Sequence, residues 1–451
     1  MQWEKLLASG RFDPAKKPQA GVESNRTAFE IDYDRIIFSA PFRNLQDKTQ
    51  VFPLPEHDFV HTRLTHSLEV SSVGRSLGKS AGEFLIQKYP HLTEMGISRE
   101  DIGSIVAAAA LTHDIGNPPF GHAGEEAISD YFRHHFEGKM WKDLVSEAEW
   151  TDLCNFEGNA QGFRMLVSQN NGLKLSYATL AAFTKYPRPA LVQTKDPNRR
   201  SQKKFGFFHD QHQDFAALAT HLGLEKANEE CYLRHPLAYL VEAADDICYS
   251  IIDLEDGCTL GLVGFDQVLE LIIPILGDRF QPEKLKKHET QSQKLAILRA
   301  MTIGKLIEEC VIAFMEHEEK MLTGDFDRSL TEVIPASAAL ERIGKLSVEK
   351  LYRSKPVLEK EAAGFQVLEG LLQIFGAALY HKCYAPDNFS GKDKSILRLL
   401  PEELLIHIST YSIFDNPYNL LRKLIDFLSG MSDKYALSLY RRVKGIALPG
   451  S

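Results

Sequence analysis

An all-α fold is what this chain predicts, on three observations. Apolar residues recur at helical spacing through most of its length, alternation with a period of two is scarce, and the two best strand candidates, Gln50 to Leu54 and Lys204 to Phe208, are short. With 451 residues and 44% hydrophobic content the chain can bury a large core. The pattern divides into an N-terminal segment over 1–29, a helical core over 30–260 and a second helical region over 261–451, packed on the core as an extension.

The first helix that carries chemistry opens with Arg63-Leu64-Thr65-His66-Ser67-Leu68-Glu69-Val70. Its apolar residues recur at Leu68, Val73 and Leu77, so His66 faces inward from the first turn. Alone, such a histidine is more often a satisfied core residue than a ligand. Gly78-Lys79-Ser80, in the same helix, ends like a phosphate-binding Gly-rich loop, but the position five before Gly78 is Val73 and no strand precedes it, so that reading is rejected.

The next helix is apolar from Ile105 to Leu111 and delivers His113-Asp114 at its end, followed by Ile115-Gly116-Asn117-Pro118-Pro119-Phe120-Gly121-His122. Imidazole and carboxylate then sit together at a helix-to-loop junction. A bare His-Asp doublet there is more often a helix cap. As a ligand pair it suits a borderline or hard divalent ion such as Mn, Fe or Mg, with no cysteine nearby to favour a soft-ligand zinc site.

A third helix, Pro236 to Gly257, decides between those readings. Leu237, Val241, Asp245, Tyr249 and Asp253 fall at successive i+4 positions, so an apolar stripe turns acidic. Carboxylates on a buried stripe are costly without a cation or hydrogen-bonding partner, which makes Asp245 a ligand and Asp253 a polar contact. Asp246, one step round, is the alternative; spacing slightly prefers Asp245. Beyond it, Val263 to Leu276 and Leu295 to His317 are apolar-periodic stretches joined by the polar segment Asp278 to Lys294, and residues 386–393 read as an exposed turn.

A net charge of -9 argues against broad polynucleotide coating, and six cysteines without paired spacing point to reduced thiols. No run of 18 apolar residues and no charged-then-apolar N-terminus stand out, so no membrane association and a cytoplasmic location are expected. The loop Arg188 to Lys204 is basic in an otherwise acidic chain. Such a loop can screen an anionic ligand, bind polynucleotide or be a solvated, mobile segment, and the last is the commonest case. Phe205, Phe207 and Phe208 then re-enter the core and pin it.

The order H…HD…D, with Arg-x-x-His before it and Asp-x-x-x-Tyr-x-x-x-Asp after it, resembles the HD-domain deoxynucleoside triphosphate triphosphohydrolases, and the bacterial deoxyguanosine triphosphate triphosphohydrolases above all. Arg26-Thr27-Ala28-Phe29, Asp34 to Ser39 and Phe42 to Phe52 are similar to that family's N-terminal block. The likeness covers roughly residues 24 to 257. It implies an HD-domain catalytic core over 30–260, in which His66, His113, Asp114 and Asp245 bind one divalent metal. Mn or Mg is expected first, with Fe, Co or Zn as alternatives.

By the same resemblance, His122 and Glu125 match the catalytic pair. Glu125 would orient the imidazole, and His122 would donate a proton to the departing 5′ oxygen while water attacks the α-phosphate, releasing deoxynucleoside and tripolyphosphate. Arg63 and Asn117 match positions near the phosphates, and Gln50 with Val51 the pair along base and sugar. Tyr249 and Asp253 fall where the family packs against the deoxyribose and bonds its 3′ hydroxyl. Two further likenesses are to bacterial members. Asn159, in Asn155 to Gln161, would touch phosphate or base, against the alternative of a helix N-cap. Lys185 would touch the β- or γ-phosphate and Tyr186 the sugar or base, against the alternative of two surface residues.

The resemblance implies preferential hydrolysis of deoxyguanosine triphosphate, a homo-oligomer, often a hexamer, and activation by nucleotide or single-stranded DNA. Arg441, Arg442 and Lys444 would be able to reach a neighbour's site, although a basic C-terminus is more often solvated. Three alternatives stand beside this: a triphosphohydrolase of other or broad base preference, a nucleotide phosphodiesterase with the same ligands, and a nucleotide or single-stranded DNA sensor. The phosphodiesterase has no reason to combine Gln50, Tyr249 and Asp253, and a sensor needs no acid with its orienting group.

Overall fold

The structure is a computed structural model that describes residues 1–12, 26–50, 61–168, 171–412 and 415–447. Among them helices dominate, and the β pairing is confined to isolated bridges, Arg11 with Ser176, Thr49 with Thr62 and Lys226 with Tyr232. Of the strand expected at Gln50 to Leu54, the part from Val51 onward lies outside the described residues. The strand expected at Lys204 to Phe208 is irregular chain between short 3-10 turns, Arg200–Gln202 and His209–Gln211. All three of its phenylalanines are buried, so the apolar run marks burial rather than pairing.

Two helices form the floor of the molecule. Arg63–Lys88 starts at a capping box in which Thr62 accepts from the Thr65 amide, and it lies along Arg99–Thr112. They approach closely because glycines face each other: a Cβ on Gly78 would stand 3.0 Å from Gly103 Cα. That packing explains the glycine that ends like a phosphate loop. The buried face of Arg63–Lys88 runs through His66, Val70, Val73 and Leu77, whereas Leu68 is 42% exposed. The apolar stripe therefore begins one turn round from where Leu68 placed it, and His66 keeps its inward position.

Leu237–Thr259 crosses this floor, and Gln291–Thr323 packs outside it. These helices share one hydrophobic cluster with Phe265–Leu276 and with Trp3, Leu6 and Phe12 from the N-terminus. A second cluster packs His122–His134 against Lys355–Tyr384, with Pro417–Ser429 and Asp433–Val443 around them. Lys355–Tyr384 is long and apolar enough to cross a membrane by length and composition alone. Here Leu368, Leu371, Leu372 and Phe375 are buried at the centre of the second cluster.

Residues 386–393 begin as the expected turn, but Asp393 is buried and caps the Gly391–Leu397 helix by accepting from Ser390. The basic loop is anchored near both ends, while residues 193–198 between them are exposed as composition suggested. Arg188 is buried and donates to the carbonyls of Pro189, Ala190 and Gln202. Arg199 pairs with Asp327 at 3.0 Å, Arg200 with Glu242 at 2.8 Å and Lys204 with Glu157 at 3.0 Å. Three of its six basic side chains, Arg199, Arg200 and Lys204, are answered by carboxylates that lie far away in sequence. All six cysteines are unpaired thiols.

Candidate active site

His66, His113, Asp114 and Asp245 meet where the floor helices and Leu237–Thr259 cross. His113 is the C-cap of Arg99–Thr112, and its Nδ1 lies 2.7 Å from the carbonyl of Ala110. Nδ1 therefore donates to that carbonyl, and Nε2 faces the cluster. That Nε2 stands 3.5 Å from Asp245 Oδ1 and 3.6 Å from Asp114 Oδ1, and His66 Nε2 stands 3.3 Å from Asp245 Oδ1. Donor atoms of His66, His113 and Asp114 all lie within 4.8 Å of one another.

This donor set fits a divalent ion. Ligands bonded to one ion at about 2.1 Å and roughly at right angles to each other lie about 3 Å apart, close to the spacings above. Asp114 Oδ2 is buried without an aligned hydrogen bond, although Arg63 Nη1 is 2.9 Å away as its ion partner. Burial alone would raise the Asp245 carboxyl, but His113, the His66 hydrogen bond and Lys185 outweigh it and hold it well below the usual carboxylate range. Asp114 is held down against burial by Arg63 and both histidines. The alternative ligand behaves differently. Asp246, which also lines the adjoining cleft, accepts from Thr331 at 2.6 Å, and burial pushes its carboxyl up to about 6.

Most of the remaining candidates line one cleft of about 630 Å³ that opens onto this cluster, within the roughly 300–1,000 Å³ of small-ligand sites; Asp253 is not in its lining. Asn117 donates to Asp114 Oδ1 at 2.5 Å, so with Arg63 it holds that carboxylate from the cleft side. His122 begins the His122–His134 helix with its side chain 86% exposed. Its Nδ1 is 2.7 Å from Glu125 Oε2, while Glu125 Oε1 accepts the Gly158 amide at 2.7 Å. Residue 158 has to be glycine for this approach, because a Cβ there would stand 2.7 Å from Glu125 Oε1. Glu125 is buried and still ionises readily, since the His122 hydrogen bond and Lys204 outweigh desolvation. Nε2 of His122 is left as the ring nitrogen open to the cleft.

Lys185 follows the Tyr177–Phe183 helix and points inward, 3.5 Å from Glu242 and 3.8 Å from Asp245. Tyr186 is buried, with the Arg234 guanidinium 5.9 Å from its ring centre. Neither is a simple surface residue. Asn159 is not a helix N-cap; Glu157 holds that place for Gly158–Val167, and Asn159 donates to it from the first turn at 2.7 Å. Gln50 Oε1 is buried with no partner among the described residues, an acceptor left for a ligand. Val51 lies outside the described residues.

Tyr249 is half-exposed and stacks on Tyr352, ring centres 5.7 Å apart. Tyr352 in turn donates to Asp253 at 2.5 Å, and burial pushes the Asp253 carboxyl up to about 7. Sequence reasoning missed Tyr352, Lys360 and Glu361, which line the cleft from the second helical region, because each is a common residue type with no motif around it. It also missed Glu242, buried and paired with Arg234 and Arg200. A lone glutamate in the run Leu240-Val241-Glu242-Ala243-Ala244 was a readable signal for that one.

Comparison with known proteins adds to this geometry. The family model described as HD domain matches residues 63–154, the stretch holding His66, His113, Asp114, His122 and Glu125. A deoxyguanosinetriphosphate triphosphohydrolase-like protein of Synechocystis is 38% identical over 460 residues, 99% of this chain and 100% of its own. One from Pseudomonas aeruginosa is 38% identical over 463 residues and the full length of both chains. A deoxyguanosinetriphosphate triphosphohydrolase of Yersinia pestis is 30% identical over 505 residues, 95% of this chain and 96% of its own.

Proposed function

Since the chain belongs to the HD-domain family of deoxyguanosinetriphosphate triphosphohydrolases and their like, and is a hydrolase that takes a divalent metal, we propose that it hydrolyses deoxynucleoside triphosphates, deoxyguanosine triphosphate first among them, to deoxynucleoside and tripolyphosphate. The observation that carries this reading is the opening of the His66, His113, Asp114 and Asp245 cluster into the same cleft as the His122–Glu125 pair. Those four residues hold the metal, Mn or Mg. When bound, the ion supplies positive charge that polarises the α-phosphate and activates a water.

The chain's own groups do the rest. Glu125 fixes the His122 ring through Nδ1, so a proton on Nε2 is directed at the departing 5′ oxygen. Lys185 offers its ammonium to the phosphates; burial works against its charge, but the neighbouring Glu242 and Asp245 carboxylates outweigh burial and keep it charged. Arg63 and Asn117 hold Asp114 and face the same anions. Tyr249, backed by Tyr352, supports the sugar and leaves no room for a 2′ hydroxyl, while Asp253 takes the 3′ hydroxyl. Gln50, Val51, Asn159 and Tyr186 complete the contacts to base, sugar and phosphate.

Incubation with each of the four deoxynucleoside triphosphates and Mn, with nucleoside, phosphate and tripolyphosphate resolved, tests the reading. Deoxyguanosine with tripolyphosphate is expected; monophosphate or diphosphate products would overturn it.

A further inference from the structure

Resting on the functional reading above, we infer that Asp433, at the start of the Asp433–Val443 helix, is a positioning residue for His122. The segment that presents His122 has an unusual backbone: Phe120 has φ 65° and Gly121 has φ 61°. A positive φ is sparse for a bulky aromatic residue and persists only where surrounding contacts over-determine it. Those contacts come from the C-terminal region. The Phe120 amide donates to Asp433 Oδ1 at 2.9 Å, two residues before His122.

The carboxylate is itself held. Asp433 is buried, and its other oxygen accepts the Thr49 amide at 3.2 Å and the Thr49 hydroxyl at 2.8 Å. The Lys48 ammonium bridges the same elements, donating to the carbonyls of Asn117 at 2.6 Å and Ser429 at 2.7 Å. Phe120 is gripped from its side chain too. Gly364, on Lys355–Tyr384, leaves the space that its ring occupies, and a Cβ there would stand 2.7 Å from Phe120 Cβ. One strained residue is thus fixed through its amide by Asp433 and through its side chain by Gly364. Asp433 touches no reacting atom; it acts by keeping the His122 ring aimed while Glu125 keeps it oriented.

The test compares D433A, D433N and G364A with the unaltered protein. It uses hydrogen exchange over residues 116–123 and steady-state kinetics with deoxyguanosine triphosphate and Mn. In D433A, exchange over 116–123 should accelerate while Arg63–Lys88 exchanges as before. There kcat should fall about tenfold or more with KM changed less than about threefold, because a small misplacement of a catalytic group costs turnover rather than binding. G364A should do the same from the opposite side. D433N keeps one acceptor oxygen for the Phe120 amide but sets its NH2 against the Thr49 amide, so it should fall between D433A and the unaltered protein in both readouts. Unchanged exchange over 116–123 in D433A, or a D433A kcat equal to that of the unaltered protein, would overturn the inference. If the unaltered protein hydrolyses no deoxynucleoside triphosphate, the functional reading fails, and exchange alone decides whether Asp433 holds the loop.

Discussion

Two sets of residues around the cleft are built on different terms. The candidate ligands His66, His113, Asp114 and Asp245 stand on or just beyond helices of the first hydrophobic cluster, and their places follow from those helices: a first turn, a C-cap with the residue after it, an inward stripe. Tyr352 and Lys360 come from the second helical region, and Asp433 bonds the Phe120 amide from still further along. The first set is local in origin, and its chemistry shows in residue type. The second depends on how distant helices meet, so its residues are ordinary until packing gives them a task.

Replacing Asp245 with asparagine is the most severe way to sharpen this contrast. Loss of its charge should weaken Mn binding, followed by equilibrium dialysis, and turnover by at least about 100-fold. Asp246→Asn, one residue along but bonded to Thr331, keeps an acceptor for that hydroxyl and should leave both within about twofold. Equal damage from the two would erase the distinction between ligand and neighbour.

His122→Ala comes next. Removing a general acid should lower kcat by about 10²–10⁴-fold, while Mn affinity stays where it was. A parallel loss of metal would mean that His122 belongs to the cluster rather than to the proton transfer.

Tyr352→Phe should have the smallest effect. It removes one hydrogen bond, to Asp253, worth about 1 kcal/mol, or about fivefold in kcat/KM. The ring that backs Tyr249 remains, so discrimination against guanosine triphosphate should hold. An unchanged kcat/KM would take the sugar away from this wall.

How much could be read beforehand follows the same division. The helices carrying the candidate ligands were legible because an inward stripe must account for every polar residue on it, and Asp245 and Asp253 had no apolar excuse. The preference for Asp245 over Asp246 rests on the same stripe; in the structure Asp245 lies beside both histidines, and Asp246 accepts from Thr331. Leu68 misled because one exposed leucine costs a helix little, so the stripe seemed to start a turn early. The basic loop misled for the opposite reason. Its partners Asp327, Glu332 and Glu157 are remote in sequence, and unpaired charge looks solvated until the fold supplies the counter-charge. Tyr352 and Asp433 were invisible on the same ground, since no spacing links them to the residues they hold.

The most direct test of hydrolysis at the α-phosphate is turnover in ¹⁸O-labelled water, with both products examined by mass spectrometry. Attack at the α-phosphorus with departure of the 5′ oxygen predicts label in the tripolyphosphate and unlabelled deoxynucleoside. Label in the deoxynucleoside, or in inorganic phosphate released beside a nucleotide product, would contradict the account.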